Sequence, residues 1–248
     1  MKALTELSFR GSVAILTLNN PAKLNVLSSD LMAEIHRSLE GIEKKSNVLV
    51  IRGCEKAFAA GVDVSEIHAL SYEKAYLNDF IDHRWESVFN VKIPVIAAVS
   101  GYALGGGFEL VLMCDMVVAA PSAVFGFPEV NLGLMPGMGG TQLLTGIVGP
   151  KIASEILMTG RFVSSGEAAT LGIVSHLTEE SDDLLAKALD LAEKIAKKSV
   201  MSTRMIKEAV RMAQNIGLSS GLKSERQMFR SLFSTSFKQN GTEAFLKK

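Results

Sequence analysis

The sequence predicts an α/β protein, because short apolar strands alternate along it with segments of helical periodicity. Continuous apolar runs at 48–53, 94–101 and 116–121 are typical of parallel strands that are buried on both faces. Helical patterns lie between these runs, at roughly 72–90 and 106–114. Alternation of this kind indicates parallel strands joined by right-handed crossovers.

Two elements precede this core. The segment VAILTLNN (13–20) alternates and is rich in branched residues, so it predicts a strand, which Pro21 ends. The segment SSDLMAEIHRSLEGIE (28–43) has apolar residues at helical spacing and predicts a helix, capped by Ser28 or Ser29.

Helical patterns dominate after about residue 140. Short elements are expected there: helices at 141–149, 151–160 and 166–172, and a strand at 173–177. From residue 181 onward the pattern is helical throughout. We therefore divide the chain into an α/β core, residues 1–197, and a C-terminal helical region, residues 198–248.

Composition excludes several classes of protein. The chain has 248 residues, with 26 Lys plus Arg and 26 Asp plus Glu, so its formal net charge is zero. Nucleic-acid binding needs a basic excess, and we expect no nucleic-acid partner. No apolar run approaches the roughly 18 residues of a membrane helix, so we expect no membrane association.

The location of the protein is predicted from its first residues and its cysteines. Lys2, Glu6 and Arg10 leave no apolar segment of the kind found in signal peptides. Cys54 and Cys114 are isolated from each other and form no disulfide framework. We expect reduced thiols in a cytoplasmic protein.

Glu109 is the first candidate functional residue. It lies in an apolar run, SGYALGGGFELVLMCD (100–115), where a charge is costly unless it is paired, protonated or used. Gly105–Gly107 follow a predicted strand and open an apolar helix, so their NH groups would lie at a helix N-terminus and suit an oxyanion. A tight turn with glycines for packing would explain the same residues.

Glu129 is the second candidate. It follows a strand-like segment and precedes a glycine-rich loop in FGFPEVNLGLMPGMGGTQ (125–142). Together with Glu109 it would form an acid and base pair, one carboxylate ionised and the other protonated. The alternative is two unrelated glutamates, each paired with Lys or Arg.

A third segment, KAFAAGVD (56–63), has small residues that allow a backbone to lie close to a ligand. Gly61 and Val62 would supply a second NH group opposite Gly106. An ordinary surface loop is the alternative.

Other enzyme classes fit less well. The segment GLSSG (217–221) matches the G-x-S-x-G of serine hydrolases, but it follows a helical pattern rather than a strand, so we interpret it as a loop between two helices. PGMGGTQ lacks the Lys-Ser/Thr of a P-loop, and no short metal-ligand pattern links the four histidines, so we expect no metal.

Taken together, these segments resemble the crotonase superfamily, also called the enoyl-CoA hydratase/isomerase family. The resemblance runs almost end to end, through NNPAKLNVLSSDL, AFAAGVD, IPVIAAVSGYALGGGFEL, FGFPEVNLGLMPGMGGTQ and ILMTGRFVSSGEAATLGIV. It implies a crotonase-like spiral of ββα units with a C-terminal helical trimerisation region. It also implies an acyl-CoA thioester substrate, no cofactor beyond the CoA of that substrate, and a homotrimer or homohexamer.

The resemblance also implies roles for single residues. Glu109 would act mainly on the water that attacks C3, and Glu129 mainly on the proton at C2. The amides of Val62 and Gly106 would hold the thioester oxygen. The full substrate-binding set is Ala60, Gly61, Val62, Asp63, Gly106 and Gly137.

The presence of both glutamates favours an enoyl-CoA hydratase, because the isomerase branch commonly keeps only the carboxylate at the Glu129 position. An enoyl-CoA delta-isomerase, or another acyl-CoA enzyme of the superfamily, is the alternative. A catalytically silent protein of this fold that only binds its ligand is a more distant alternative.

Four residues depart from the family pattern. Phe127 stands where hydratases often have Gln, which would leave Glu129 without a polar partner. Leu143 stands where Arg is common after GGTQ. Phe108 and Met138 replace smaller residues near the acyl site, so we expect them to affect acyl-chain preference.

Overall fold

The computed structural model describes residues 3–247, and within them the chain forms two β-sheets and eleven α-helices. Lys2 lies outside the described residues. The strands are β1 Thr5–Arg10, β2 Val13–Leu18, β3 Val48–Arg52, β4 Ala57–Ala59, β5 Val95–Val99, β6 Tyr102–Leu104, β7 Met116–Ala119, β8 Val124–Gly126, β9 Phe162–Ser164 and β10 His176–Leu177. The helices are α1 Ser29–Leu39, α2 Val64–His68, α3 Tyr72–Leu77, α4 Gly106–Leu112, α5 Gly140–Val148, α6 Pro150–Thr159, α7 Ser165–Thr170, α8 Leu184–Ala196, α9 Val200–Met212, α10 Leu218–Ser231 and α11 Ser236–Leu246.

The larger sheet has six strands in the order β1-β2-β3-β5-β7-β10. Its first pair is antiparallel and the other pairs are parallel. One face of this sheet packs on α8, and the other forms the main core of the molecule. Because both faces are covered, β5 is buried along its whole length, which explains its unbroken apolar sequence.

The smaller sheet has the order β4-β6-β8-β9, and its first three strands are parallel. Each of β4, β6 and β8 follows a strand of the larger sheet along the chain. The chain thus repeats a unit of one long strand, one three-residue strand and a helix, which confirms the predicted spiral of ββα units. The sequence does not predict these short strands as separate elements, because a segment of three residues is too short to show a periodicity.

The predicted helix over 72–90 is wrong beyond α3. The backbone turns left-handed at Asp79 and at Ile81, whose φ angles are +47° and +67°. Asp82 then accepts hydrogen bonds from the backbone NH and the side chain of Arg84. Such local side-chain bonds compete with a helix, so the segment continues as turns.

The helix predicted over 28–43 is confirmed but shorter. Ser28 is its N-cap, and its Oγ accepts a hydrogen bond from the NH of Leu31 at 3.2 Å. The α-helix ends at Leu39, and Gly41 follows with a φ of +66°. The left-handed glycine explains why the helical pattern in the sequence outlasts the helix.

The C-terminal region is bound to the core through α9. Lys207 Nζ lies 2.7 Å from Asp115 Oδ2 and donates to the carbonyl of Ile93 at 2.8 Å. Arg211 makes a second, longer ion pair with Asp115, at 3.4 Å. The division of the chain at residues 197/198 stays a prediction.

The segment GLSSG does not form a nucleophile elbow. Gly217 is the N-cap of α10, and Ser219 lies in the first turn of that helix, after α9 rather than after a strand. The predicted loop between helices is therefore wrong in detail, because most of the segment is helical. The exclusion of a serine-hydrolase site is unaffected.

Within residues 3–247, no helix combines the length and the apolar character needed to cross a bilayer. The same residues contain no cluster of three or more His, Cys, Asp or Glu placed to hold a metal ion. Cys54 and Cys114 are free thiols, and burial raises the pKa of Cys114.

Candidate active site

A half-enclosed cavity of about 350 Å³ lies where the three parallel strands of the smaller sheet end. The chain after β4 supplies Gly61 and Val62, the chain after β6 supplies Gly105 and Glu109, and the chain after β8 supplies Glu129. Parallel strands bring their carboxyl ends to one edge of a sheet, where ligands bind in many α/β proteins. The repeated unit of the fold therefore delivers the candidate residues to one place.

The lining of the cavity is mostly apolar. It consists of Ala60, Gly61, Val62, Val64, Ile67, Leu70, Ser71, Tyr72, Ala75, Phe80, Ile81, Gly105, Glu109, Pro128, Glu129, Leu132, Leu134, Met135 and Gly137. Both glutamates predicted from the sequence are present, and they are the only charged residues of this lining.

Glu109 lies on α4 and is 1% exposed. Its Oε1 atom accepts hydrogen bonds from the NH groups of Met138 and Gly140, both at 2.7 Å. Burial raises the pKa of Glu109, and the amides of Gly140, Met138 and Gly137 oppose this rise. The glycine-rich loop before α5 thus positions the carboxylate and stabilises its charged form.

Glu129 lies on a 3-10 helix, Pro128–Leu132, and its environment is different. Its Oε2 atom is buried and has no hydrogen-bond partner among the described residues. Burial raises the pKa of Glu129 to about 7, and the nearby charge of Glu109 adds to the rise. Near neutral pH the two carboxyl groups therefore differ in how readily they hold a proton.

Two backbone amides at the cavity are unused. Within residues 3–247, the NH groups of Val62 and Gly106 donate to no acceptor. Gly106 is the first residue of α4, where an NH group has no partner inside the helix. The two residues are close neighbours, because a Cβ atom added to Gly106 would lie 2.9 Å from Val62 Cγ2.

The loop that carries Val62 is held by the chain before α1. Leu27 donates to the carbonyl of Gly61 at 2.8 Å and accepts from the NH of Asp63 at 3.1 Å. Asn25, fully buried and with a φ of +53°, donates to the carbonyls of Ala57 and Phe58 at 3.1 and 3.0 Å. The backbone around Val62 is thereby fixed by main-chain pairing.

The structure separates the predicted substrate-binding residues into two groups. Ala60, Gly61, Val62 and Gly137 line the cavity. Asp63 does not line it. Its carboxylate caps α2 instead, accepting from Ser65 NH at 2.9 Å, and the bonds to Ser65 lower its pKa. Gly106 lies just behind the lining, next to Gly105.

The family departures fall mainly behind the cavity. Phe108 and Phe127 are fully buried and stack with ring centroids 4.7 Å apart. Phe108 is not among the lining residues, and its effect on acyl-chain preference stays a prediction. Met138 contributes its NH to Glu109. Leu143 packs on the core. The expected lack of a polar partner for Glu129 agrees with its unpaired Oε2 atom.

Sequence reasoning missed the apolar wall of the cavity that follows β4. Ile67, Leu70, Tyr72, Phe80 and Ile81 come from α2, α3 and the turns after them. The available signal in the sequence was the apolar residues of this segment. Ile81 packs against the loop that holds Glu109, because a Cβ added to Gly137 would lie 3.1 Å from the Cδ1 atom of Ile81.

Comparisons with known proteins all point to one family. The model of the enoyl-CoA hydratase/isomerase family matches residues 8–248. A probable enoyl-CoA hydratase of Rhizobium meliloti (strain 1021) is 45% identical over 96% of this chain and 93% of its own length. A probable mitochondrial enoyl-CoA hydratase of Dictyostelium discoideum is 42% identical over 96% of this chain and 86% of its own. The crystal structure of an enoyl-CoA hydratase subunit I from Geobacillus kaustophilus HTA426 superposes with a TM-score of 0.94 at 42% identity, covering 99% of this chain and 95% of that one.

Proposed function

The chain belongs to the enoyl-CoA hydratase/isomerase family, and we propose that it is an enoyl-CoA hydratase. It adds water reversibly across the 2,3 double bond of a 2-enoyl-CoA and yields a 3-hydroxyacyl-CoA. One observation carries the proposal: two carboxyl groups, Glu109 and Glu129, line one cavity in environments that favour different protonation states. Hydration needs a base that takes a proton from water and an acid that gives a proton to C2, and such a pair supplies both.

Glu109 is the proposed base for water. The two NH groups that bind its Oε1 atom favour the carboxylate form and fix its orientation. Its other oxygen is left to accept the proton of a water molecule. The water oxygen forms a bond to C3, and the π electrons of the double bond move towards the thioester oxygen.

Glu129 is the proposed acid at C2. A pKa near 7 keeps much of this group protonated at neutral pH, and the unpaired Oε2 atom leaves a carboxyl oxygen available. The proton passes from Glu129 to C2 as the thioester carbonyl reforms. Glu109 then holds the proton that came from water, and exchange with solvent resets both groups. In a coupled pair these steps belong to the two groups jointly.

The amides of Val62 and Gly106 are the proposed donors to the thioester oxygen. Their NH groups have no other acceptor in the described chain. Val62 lines the cavity, and Gly106 lies next to both Val62 and the lining residue Gly105. A backbone donor aimed at a developing oxyanion contributes about 2.7–4 kcal/mol to transition-state stabilisation. The proposed substrate-binding set remains Ala60, Gly61, Val62, Asp63, Gly106 and Gly137.

Absorbance assays separate this proposal from its alternatives. A hydratase consumes the conjugated absorbance of crotonyl-CoA, an isomerase creates it from a 3-enoyl-CoA, and a silent binding protein does neither. Glu129→Gln should abolish hydration while acyl-CoA binding, measured by calorimetry, stays within a few-fold. Wild-type turnover in this variant would remove Glu129 from the mechanism.

Assembly and location are further parts of the proposal. We propose a homotrimer or homohexamer, supported by apolar side chains that α9, α10 and the turn after them expose: Ile206, Val210, Leu222, Phe229 and Phe233. Sedimentation at several concentrations tests it.

We propose a cytoplasmic location, supported by two free thiols, which fractionation of the source cells tests.

We also propose that no cofactor is needed beyond the CoA of the substrate. Addition of water moves two protons and no net electrons, and two carboxyl groups can move both protons. Dialysis against a chelator should leave turnover unchanged.

A further inference from the structure

We propose that Glu66 is a positioning residue that holds the backbone of Val62 in the orientation that its NH group needs to reach the thioester oxygen. The inference rests on the proposed hydratase function and names a residue that shapes the same site from outside the cavity. Glu66 does not line the cavity, so it acts through the backbone and not on the substrate.

The carboxylate of Glu66 joins α2 to the beginning of α1. Its Oε2 atom accepts hydrogen bonds from the hydroxyl of Ser29 at 2.7 Å and from the NH of Ser29 at 3.2 Å, and its Oε1 atom accepts from the same NH at 3.1 Å. Ser29 is the first residue of α1, so its NH group has no partner within the helix. The carboxylate also interacts favourably with the positive end of the helix dipole. These bonds are charge-assisted and therefore stronger than neutral ones.

The position of α2 is fixed neither by main-chain pairing nor by a fully buried side chain of its own. In the described residues, the main-chain pairing that holds the loop of Val62 ends where the NH of Asp63 donates to the carbonyl of Leu27 at 3.1 Å. α2 begins at the next residue, has five residues and buries none of them. Since so short a helix is unstable by itself, its placement depends on contacts such as the bond between Glu66 and Ser29.

The proposed oxyanion donor is four residues from this bond along the chain. If α2 changes direction, the peptide groups that precede it rotate, and the NH of Val62 rotates with them. A hydrogen bond weakens steeply as its angle departs from linear. Misplacement of a catalytic group by about 1 Å costs on the order of 100-fold in rate. The bond between Glu66 and Ser29 therefore affects catalysis through the alignment of one amide.

Two substitutions of Glu66 test the inference by kinetics. Glu66→Ala should lower kcat by about 10-fold or more and change KM by less than about 3-fold, because the NH of Val62 remains but is poorly aligned. Glu66→Gln keeps an oxygen that accepts from Ser29, so it should recover most of the lost kcat. An unchanged kcat in Glu66→Ala would overturn the inference.

The same bond can be removed from its other end. Ser29→Pro deletes both donors to Glu66 and leaves the sequence of α2 unchanged. Proline is well tolerated at the first position of a helix, and Ser28 already has the extended backbone that must precede it, with φ −85° and ψ 162°. The variant should lose kcat as Glu66→Ala does, and the double variant should lose no more than either single one. Additive losses would show that the two residues do not act through one bond, against the inference.

Glu34 provides a matched control for loss of stability. It lies on α1 outside the cavity lining, and its Oε2 atom accepts from the NH groups of Leu4 and Thr5 at 2.8 and 3.0 Å. Like Glu66, it is half-buried and holds a neighbouring segment through backbone donors. Urea denaturation should show similar losses of unfolding free energy in Glu34→Ala and Glu66→Ala, whereas only Glu66→Ala should lose kcat. An equal loss of kcat in both would mean that Glu66 acts through general stability, and the inference would be wrong.

Butyryl-CoA has no double bond to hydrate, so it gives a readout that does not depend on turnover. We would label its thioester carbonyl isotopically and record the infrared spectrum of the bound ligand. Hydrogen bonds lower the stretching frequency of this carbonyl, and the lowering should be smaller in Glu66→Ala than in wild type and Glu34→Ala. Equal frequencies in the three proteins would contradict the inference. If the wild type binds butyryl-CoA but hydrates no crotonyl-CoA, the hydratase proposal fails, and the infrared shift alone decides the role of Glu66.

Discussion

The carboxyl group of Glu129 lies against the Cα atom of Gly105, so closely that a Cβ added there would be 2.9 Å from Oε1. Gly105 has φ +50° and ψ −126°, a backbone conformation open mainly to glycine. Gly105, the residue before α4, therefore has two roles. It allows the turn between β6 and α4, and it leaves space for the acid on the neighbouring segment.

Gly105→Ala should reduce turnover by roughly 100-fold, because the new methyl group displaces Glu129 by a fraction of an ångström or more. Gly149→Ala is a matched control. Gly149 also has a glycine-type backbone, φ +79° and ψ 162°, but a Cβ there meets nothing within 4 Å. Urea denaturation of both variants measures the backbone strain, which the two variants share. Steady-state kinetics measures the displacement of the acid, which we expect only in Gly105→Ala.

Gly106→Pro should lower kcat by about 100-fold or more, because proline removes the NH group proposed to hold the thioester oxygen. Gly106→Ala keeps that NH but adds a Cβ 2.9 Å from Val62 Cγ2, so it reports the steric part alone. Proline at the first position of a helix is otherwise well tolerated. Equal losses of kcat in the two variants would assign the effect to crowding rather than to the missing donor.

Glu129 should make the protein less stable as the pH rises from about 4.5 to about 7. The pKa of this group is about 7 in the folded chain, above its ordinary value, so the native state binds more protons than the unfolded state in that window. Glu129→Gln does not titrate. Its free energy of unfolding relative to wild type should therefore increase by about 1–2 kcal/mol between pH 5 and pH 8, given the partial exposure of the group.

Urea denaturation of both proteins at the two pH values measures this change. The difference between variant and wild type at each pH cancels the titration of all other groups. A difference that does not depend on pH would mean that Glu129 is already ionised at pH 5 in the folded chain.

Ile81→Gly should broaden the range of acyl chains. Ile81 forms the cavity wall next to Gly137 and holds a left-handed backbone, which costs a branched residue about 1–2 kcal/mol. Relief of this strain offsets most of the lost burial, so the free energy of unfolding should change little. The ratio of kcat/KM for decenoyl-CoA to that for crotonyl-CoA should rise about 10-fold. Ile81→Val keeps the branched wall and should leave the ratio near its wild-type value.

Lys207→Met should destabilise the fold by about 3 kcal/mol, because it removes the closer ion pair of Asp115 and leaves the longer pair to Arg211 and the hydrogen bond from the NH of Val95. Burial lowers the pKa of Lys207, which marks the site as largely desolvated. Lys194→Met is the control, since its pair with Asp190 is exposed to solvent and contributes little to stability. If chemical denaturation shows similar losses of unfolding free energy in the two variants, the pair of Lys207 with Asp115 does not hold α9 to the core.

The sequence predicts the long strands well and the active-site strands poorly, for a physical reason. β3, β5 and β7 are buried on both faces and have unmistakable apolar runs, whereas β4, β6 and β8 are three residues long and merge with glycine-rich turns. β1 was missed too, although Gly11, with φ +56°, marks its hairpin with β2.

For the candidate site, the sequence identifies single residues but not the contacts that the fold creates between distant residues. Glu109 and Glu129 are identifiable because a carboxylate in apolar sequence is unusual. The NH groups that bind Glu109 come from Met138 and Gly140, about 30 positions along the chain, and only the fold brings them together. The positive φ of Ile81 depends on what packs around it, so a sequence pattern does not report it.

Asn25 has a consequence beyond the loop that it anchors. β4 is an outer strand of the smaller sheet, and the asparagine side chain occupies the carbonyl groups of Ala57 and Phe58. An outer strand with free carbonyls is a template on which a foreign chain can pair and begin to aggregate. Asn25 Nδ2 donates to both carbonyls, and the NH of Cys54 also donates to that of Ala57, so neither carbonyl is left free for such pairing.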